Sequence, residues 1–327
     1  MHLIFMGTPD FAVPSLHALV DAGHRVSRVY TQPDRPAGRG GKLTASAVKA
    51  AALSLGIPVE QPVKVRLPEV VEQLREAAPD AIVVVGYGQL IPRAILEIPR
   101  LGIVNVHGSL LPKYRGAAPI QWAVANGETL TGVTTMRINE GLDTGDMLLK
   151  AATPIDPSET AVDVWYRLAG IGASLLVETL EGLENGWIQP EPQNPAEATL
   201  APILKREDGK VDWNRSAAAI YNRYRGFQPW PGAWTTFRGA RLQLKNLAPA
   251  PHPEGSQPVT TPAPGTLFPQ GKHLFAMAGD GAALELLRLQ LEGKSEVSAE
   301  AFLNGAHLRP GERLGADSPD TPEISPQ

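Results

Sequence analysis

Hydrophobic and polar positions in the first half of the chain follow two alternating patterns. Short runs at 2–6, 25–30 and 80–86 predict strands, and the last of these is almost continuously apolar, as in a strand covered on both faces. Apolar residues at helical spacing predict helices at 45–55 and 67–77. This alternation of strands and helices predicts a doubly wound, mostly parallel, Rossmann-like α/β sheet.

The second half of the chain changes character twice. Residues 160–183 carry one apolar stripe and predict a long amphipathic helix, whereas residues 189–203 are rich in proline, lack periodicity and predict a linker. Short alternating strands follow, and their spacing predicts a small C-terminal β-barrel of the OB type. We therefore expect an N-terminal domain over 1–188, a linker over 189–203, a barrel domain over 204–313 and a disordered tail over 314–327.

One strand, within Leu101–Gly116, carries a pair of chemically capable side chains. Asn105 and His107 lie two positions apart, so their side chains should point to the same face of the strand. Open parallel sheets bind ligands outside the carboxyl ends of their strands, which is where this pair stands. At that position an amide donor and a titratable ring could act on a polar bond of a bound ligand. The alternative is that both groups are buried and satisfied by neighbours.

Two further loops follow predicted strands. Tyr87–Pro92 comes after the apolar strand at 80–86, again at a carboxyl end. In the loop 139–146, Asp143 lies between Gly141 and Gly145 in a tight turn that leaves its carboxylate free to point across a cleft. The acidic residues of this loop do not match the spacing of a calcium loop, and the histidines of the chain form no zinc motif, so we expect no metal.

Basic residues are concentrated in two places. The Gly- and Pro-rich segment 31–43 carries Arg35, Arg39 and Lys42, and is either a solvated loop or an arm that touches phosphates. Residues 204–313 hold 14 Lys and Arg against 10 Asp and Glu, although the net charge of the whole chain is −4. Four basic residues near the start of this region form either a solvated surface or a nucleic-acid contact: Arg206, Lys210, Arg223 and Arg225.

Several classes of protein are disfavoured by what the sequence lacks. There is no cysteine, which removes disulfides and a cysteine nucleophile and favours a cytosolic location. No apolar run is long enough to span a bilayer, and the first residues already form a strand pattern, so neither a membrane partner nor a signal peptide is expected. The turn at Gly7 lacks the glycine fingerprint of dinucleotide-binding folds, and Pro9 removes a backbone donor, which argues against an oxidoreductase with a nucleotide cofactor.

Five motifs, taken in order, resemble those of the methionyl-tRNA formyltransferases: MGTPDFAVPSL, TQPDRPAGRGGKL, GIVNVHGSLLPKYRGAAPI, GLDTGDM and RGFQPWPGAW. The resemblance extends from residue 1 to about residue 312. The N-x-H strand, the SLLP turn and the D-T-G-D loop are shared with other folate-dependent formyltransferases, whereas the QPDRPAGRG loop and the C-terminal domain are typical of the tRNA-using family. The resemblance implies transfer of the formyl group of 10-formyltetrahydrofolate to the α-amino group of methionyl initiator tRNA. It implies a cytoplasmic protein, and we expect a monomer.

The resemblance implies that Asn105, His107 and Asp143 form the catalytic set. Attack of an amine on a formyl carbon develops negative charge on the formyl oxygen, which the Asn105 amide and a donating His107 would stabilise. The amine must also lose a proton and the leaving nitrogen must gain one, a transfer in which Asp143 would orient His107 and accept the proton through water. This chemistry needs neither a covalent enzyme intermediate nor a metal.

Substrate-binding roles are implied in the same way. The SLLP turn would line the folate, and the loop after the apolar strand resembles the pterin-side loop of related enzymes: Ser109, Leu110, Leu111, Pro112, Gln89 and Leu90. The loop with Arg35, Arg39 and Lys42 would reach the tRNA acceptor end, Arg39 foremost, and Arg206, Lys210, Arg223 and Arg225 would add phosphate contacts. The family pattern has a second lysine after the GRG segment, where this chain has Gly41, so the phosphate contacts of this loop are expected to be weaker.

Two alternatives use the same residues differently. A folate-dependent formyltransferase acting on a small-molecule amine would share the three catalytic residues but lack the basic loop and the C-terminal domain. A non-catalytic RNA-binding protein on the same fold would be free to lose the catalytic residues, and all three are present.

Overall fold

The computed structural model describes residues 1–37, 42–250 and 262–316 of the 327-residue chain. Contacts within the chain divide it into two compact units. The first comprises Met1–Ile120, Thr129–Asp156 and Asp163–Ile203; the second begins at Leu204 and also takes in Gln121–Glu128 and Pro157–Val162. Two short segments that precede the predicted linker thus pack with the second unit. The predicted domain boundaries at 188 and 203 stay a prediction.

The first unit is organised around a seven-stranded sheet. The described strands of this unit are β1 (His2–Gly7), β2 (Arg25–Tyr30), β3 (Arg35–Ala37), β4 (Lys42–Thr44), β5 (Val59–Glu60), β6 (Ala81–Val85), β7 (Ile103–His107), β8 (Leu130–Arg137) and β9 (Met147–Pro154), of which seven form the sheet. The sheet order is β5-β2-β1-β6-β7-β8-β9, with β3 and β4 forming a separate hairpin. Strands β5 to β7 are parallel, while β8 and β9 run antiparallel at one edge. The order reverses between β1 and β6, which makes their carboxyl ends the switch point of the sheet.

Helices connect these strands, and local sequence fixes several of their ends. They are α1 (Val13–Asp21), α2 (Ala47–Ser54), α3 (Pro68–Ala77), α4 (Arg93–Leu96), α5 (Pro119–Ala125) and α6 (Ala161–Asn185). The Ser46 hydroxyl caps α2 by accepting a hydrogen bond from the Lys49 backbone N–H. Pro68 begins α3, where its missing N–H costs nothing.

The core of the first unit lies along β6 and β7, whose residues are all buried. Ile82 and Val84 of β6 share a core cluster with Leu74 of α3, which has no exposed surface. Burial of both strands on both faces explains their nearly continuous apolar sequence. Asn105 and His107 are the polar exceptions within β7.

The second unit is an antiparallel sheet covered by helices. Its described elements are α7 (Ala217–Gly226), β10 (Ala233–Phe237), β11 (Ala240–Pro249), β12 (Leu267–Gln270), β13 (His273–Met277), β14 (Ala283–Leu291), β15 (Val297–Ser298) and α8 (Ala299–Ala306). The strand order is β10-β11-β14-β13-β12, with β15 beside β14. Alternate residues of β10 are buried, as the alternating sequence pattern predicts. Leu286 and Leu289 of β14 are fully buried in the core of this unit.

The predicted fold class is confirmed, with local differences. The basic segment 31–43, predicted to be a loop, includes β3 and most of β4, which pair as an antiparallel hairpin. Leu314, which the sequence assigns to the tail, is buried, and its N–H donates to the Gly265 carbonyl. Residues 317–327 of that tail lie outside the described residues. Within the described ranges, no helix combines the length and the apolar character that a bilayer span requires.

Two leucines offer a matched test of this core. Leu74→Ala removes a fully buried side chain and should lower the free energy of unfolding by about 2–5 kcal/mol, because it leaves a cavity. Leu53→Ala, on the exposed face of α2, should change it by less than about 0.5 kcal/mol. Urea unfolding followed by circular dichroism measures both. Equal effects of the two substitutions would contradict the described packing of α3.

Candidate active site

A cavity of about 1050 Å³ opens at the carboxyl ends of β1, β6 and β7. Thr8 follows β1, Tyr87 follows β6 and Gly108 follows β7, and all three line the cavity. The cavity therefore occupies the switch point of the sheet, where open α/β sheets bind ligands. Its wall also contains apolar residues that sequence reasoning did not identify, among them Phe11 and Trp165, whose rings pack edge to face.

Asn105 reaches the cavity from the middle of β7. The strand pairs it with Val84 of β6 on one side and Met136 of β8 on the other, which fixes the side on which its amide emerges. Only 9% of its surface is exposed. Among the described residues no side chain or backbone group hydrogen-bonds this amide, so it is available to a ligand.

His107 has one ring nitrogen committed to the protein. Its Nε2 lies 2.9 Å from the carbonyl oxygen of Tyr114. A carbonyl only accepts, so Nε2 carries the proton and Nδ1 is the basic nitrogen of the neutral ring. That Nδ1 is 3.8 Å from Oδ2 of Asp143. The residue is 5% exposed and lines the cavity.

Asp143 comes to the same place from the loop between β8 and β9. Its backbone is left-handed, with φ of +50°, a conformation that Asp tolerates better than most residues. Its Oδ2 accepts a hydrogen bond of 2.9 Å from the Gly116 N–H, which turns the carboxylate toward His107. Asn105, His107 and Asp143 therefore line one cavity, as the sequence predicts.

The turn after β7 is held by residues that sequence reasoning did not identify. The buried Thr134 hydroxyl donates to the Ser109 carbonyl at 2.7 Å and accepts from the Leu111 N–H at 3.1 Å. Tyr114 is left-handed, with φ of +62°, and this conformation accompanies the carbonyl that meets His107. The two consecutive threonines of β8, Thr134 and Thr135, were the available signal for the first of these contacts.

Comparisons with known proteins establish the family. A family model described as formyl transferase matches residues 1–180, and one described as its C-terminal domain matches 203–307. A methionyl-tRNA formyltransferase of Acidobacterium capsulatum is 55% identical, over 97% of this chain and 100% of its own length. Another, from Solibacter usitatus, is 56% identical over 96% of this chain and 99% of its own.

The chain belongs to the methionyl-tRNA formyltransferase family. The resemblance carried by the five motifs is thus confirmed. Among solved structures, HypX from Aquifex aeolicus in complex with tetrahydrofolic acid is 19% identical with a TM-score of 0.60. It matches 92% of this chain, which spans 46% of HypX, and the likeness shows a shared fold.

The residues predicted to line the folate separate into two groups. Gln89 and Leu90 contact the cavity, although the Gln89 amide is engaged by the Val65 N–H and the Pro62 carbonyl. The SLLP turn is absent from the lining of the cavity. The Ser109 hydroxyl donates to the Lys113 carbonyl, Leu111 packs with Met136 and Met147, and Pro112 is buried. Ser109, Leu110, Leu111 and Pro112 thus do not line this cavity in the described structure, and their contact with folate stays a prediction.

The basic arm is anchored at its base by a polar network. Lys49 Nζ lies 2.7 Å from both Asp34 Oδ2 and Gln61 Oε1, and Gln61 Nε2 lies 2.7 Å from Asp34 Oδ1. These hydrogen bonds lower the pKa of the Asp34 carboxyl. The network holds the entry to the hairpin, so that Arg35 is exposed and lines the cavity. Lys42 lies on β4, while Arg39 lies outside the described residues.

The four basic residues of the second unit differ in their availability. Arg206 and Lys210 are exposed. Arg223 donates to the Asp208 carbonyl and lies over the rings of Trp122 and Phe227, and burial lowers its pKa. Arg225 is 4% exposed and donates to the Glu159 carbonyl and to Asn222 Oδ1, which makes it part of the core rather than of a tRNA-binding surface.

The phenol of Tyr87, another residue that lines the cavity, stays neutral. Burial raises the pKa of Tyr87 to about 12, so its phenol is protonated at any physiological pH. Its carbonyl accepts hydrogen bonds from Thr8 and Gln32, which join the ends of β1 and β2 to that of β6. In the described residues no group of metal-ligating side chains large enough to hold an ion is found.

Gly116→Ala tests the turn that presents its N–H to Asp143. Gly116 has φ of +126°, and a Cβ would lie 2.5 Å from the Ala201 carbonyl oxygen. We expect a loss of at least about 1–3 kcal/mol in the free energy of unfolding. Gly170→Ala, in the exposed face of α6 with open space around it, should instead stabilise by about 0.5–1 kcal/mol. Thermal unfolding compares them, and a Gly116→Ala variant as stable as the parent would contradict the described turn.

Proposed function

We propose that this protein transfers the formyl group of 10-formyltetrahydrofolate to the α-amino group of methionine on initiator tRNA. The observation that carries the proposal is the convergence of Asn105, His107 and Asp143 on one cavity in a chain that matches its methionyl-tRNA formyltransferase relatives from end to end. The cavity has the volume of a site for a folate-sized molecule with room for an incoming amine.

Asn105 is assigned to the formyl oxygen. Amine attack moves negative charge onto this oxygen, and a fixed N–H donor in a water-poor cavity stabilises that charge at little cost in reorganisation. The Asn105 amide can donate to this oxygen, since it lines the cavity and has no hydrogen-bond partner among the described residues.

His107 and Asp143 are assigned to the proton. The new C–N bond forms as the amine gives up a proton, and the bond between the formyl carbon and the folate nitrogen breaks as that nitrogen gains one. Nδ1 of His107 is the free basic nitrogen and is placed to move this proton. The carboxylate of Asp143, 3.8 Å away, stabilises the ring while it is charged.

Initiator tRNA is assigned to basic residues of the 31–43 segment and of the second unit. Arg35 at the cavity rim, with Arg39 and Lys42 of the same arm, would take phosphates of the acceptor end, and Arg206 and Lys210 would add contacts from the second unit. The proposal includes action as a monomer in the cytoplasm, where translation begins. Transfer to a small-molecule amine is the alternative, and relatives of the same length and high identity disfavour it.

The assay combines the purified protein, 10-formyltetrahydrofolate and methionyl initiator tRNA, and detects formylmethionine on the tRNA. Asn105→Ala and His107→Ala should each slow turnover about a hundredfold or more, because each removes a group that acts on the reacting atoms. His17→Ala on α1 serves as the control and should keep the parental rate.

Either variant that keeps more than about a tenth of the parental rate would remove its residue from the catalytic set. Folate binding without formylation of the tRNA, together with formylation of a small amine, would favour the alternative enzyme class. Circular dichroism of each variant excludes unfolding as the cause of a loss.

Salt dependence tests the contribution of the second unit to tRNA binding. The double variant Arg206→Gln/Lys210→Gln should weaken binding and reduce the slope of log affinity against log salt by about 1.5, since two phosphate contacts are removed. The pair Lys272→Gln/Lys294→Gln makes the same charge change elsewhere in that unit and should leave the slope unchanged. An unaltered slope in the first variant, or an equal change in both, would exclude local phosphate contacts at Arg206 and Lys210.

A further inference from the structure

The segment predicted to be a linker is bonded to the active-site turn. Two Thr199 oxygens accept hydrogen bonds from this turn: Oγ1 from the Tyr114 N–H at 2.8 Å and the carbonyl from the Arg115 N–H at 2.9 Å. The Ala201 N–H donates to the Arg115 carbonyl at 2.7 Å. We call Gln193–Ala201 the strap. Through Tyr114, the strap supports the carbonyl that fixes the ring of His107.

Gln193, at the start of the strap, uses all of its hydrogen-bonding capacity. It is 8% exposed, and its Nε2 donates to the carbonyls of Asp143 at 2.8 Å and Gly145 at 2.7 Å. Its Oε1 accepts from Nε and Nη2 of Arg115 at 2.9 and 2.8 Å. A rotated amide would set two donors against the guanidinium and an oxygen against two carbonyls. Arg115 therefore determines which end of the Gln193 amide faces the loop of Asp143.

These bonds hold a part of the loop whose backbone has little freedom. Asp143 is left-handed, and at Gly145 a Cβ would overlap the Arg137 carbonyl, so the loop has little room to relax. Gln193 holds the backbone on both sides of Thr144, while the Gly116 N–H holds the Asp143 carboxylate itself. Arg115 and Gly116, neighbours in one turn, thus control both the backbone and the side chain of Asp143.

We infer that Gln193 is a positioning residue for Asp143, oriented by Arg115. The inference rests on the proposed role of Asp143 in proton transfer. The Gln193 amide touches no reactant position; it sets the place and direction of the carboxylate relative to Nδ1 of His107. Its effect is therefore on the chemical step and depends on the presence of that carboxylate.

Gln193→Glu is the direct test, because it keeps the shape and the bonds from Arg115 but sets a carboxylate oxygen against the two loop carbonyls. In the formylation assay kcat should fall about tenfold or more, since small displacements of a catalytic group carry large rate costs. KM for the folate and for the tRNA should each stay within about twofold. Gln189→Glu makes the same change at an exposed position just before the strap and should leave kcat unaltered.

A double-mutant cycle separates positioning from general stability. In an Asp143→Asn background, Gln193→Glu should cost less than about twofold further in kcat, because the group on which it acts is already gone. Losses that multiply, or a Gln193→Glu variant with the parental kcat, would overturn the inference. An Asp143→Asn variant with the parental kcat would overturn it too.

If Gln193→Glu does not fold, Arg115→Ala can replace it in the same double-mutant cycle. It leaves Gln193 in place but free to rotate, and it should show the same dependence on Asp143. Additive losses in that cycle would equally contradict the inference. Absence of formylation by the parental protein would instead refute the proposed function, so the two failures are distinguishable.

Discussion

The hydrogen bond from His107 to the Tyr114 carbonyl is the constraint on which the active site depends. It settles the position of the ring proton and thereby the nitrogen that is free to act. Because the acceptor belongs to the backbone, it cannot titrate or rotate away. The turn that supplies it must then be rigid, and the Thr134 hydroxyl and the strap hold it from two separate segments of the chain.

The pairing of the sheet fixes the positions of Asn105 and His107. Strand β7 lies between a parallel and an antiparallel neighbour, so the register on both sides determines where Asn105 and His107 emerge. A site on a central strand is fixed more firmly than one on a loop, because backbone pairing and burial on both faces resist displacement. Asp143 lacks this advantage. It comes from a loop and depends on bonds to its carboxylate and to its backbone.

The fold class and part of the candidate site could be predicted from the sequence because local patterns of residues determine them. Alternation of strands and helices predicts the parallel sheet, and the period of two along β7 predicts that Asn105 and His107 share a face. Contacts between residues far apart leave no such pattern. The partnership of Gln193 with Arg115 spans 78 positions, and a Pro-rich stretch without periodicity gave no sign of it. The burial of Arg225 and of the SLLP turn likewise depends on tertiary packing, which residue type alone does not reveal.

The distance of the strap from the turn along the chain has a consequence for biosynthesis. Thr199 meets Tyr114 across 85 positions, so the strands of the first unit can be translated and paired long before the bonds that hold the reactive groups. A nascent chain that has just emerged to residue 188 would carry Asn105, His107 and Asp143 without the segment that fixes two of them. The bonds of Thr199 and Ala201 to this turn can therefore form only after residue 201 has cleared the ribosome, as an event separate from the formation of the sheet.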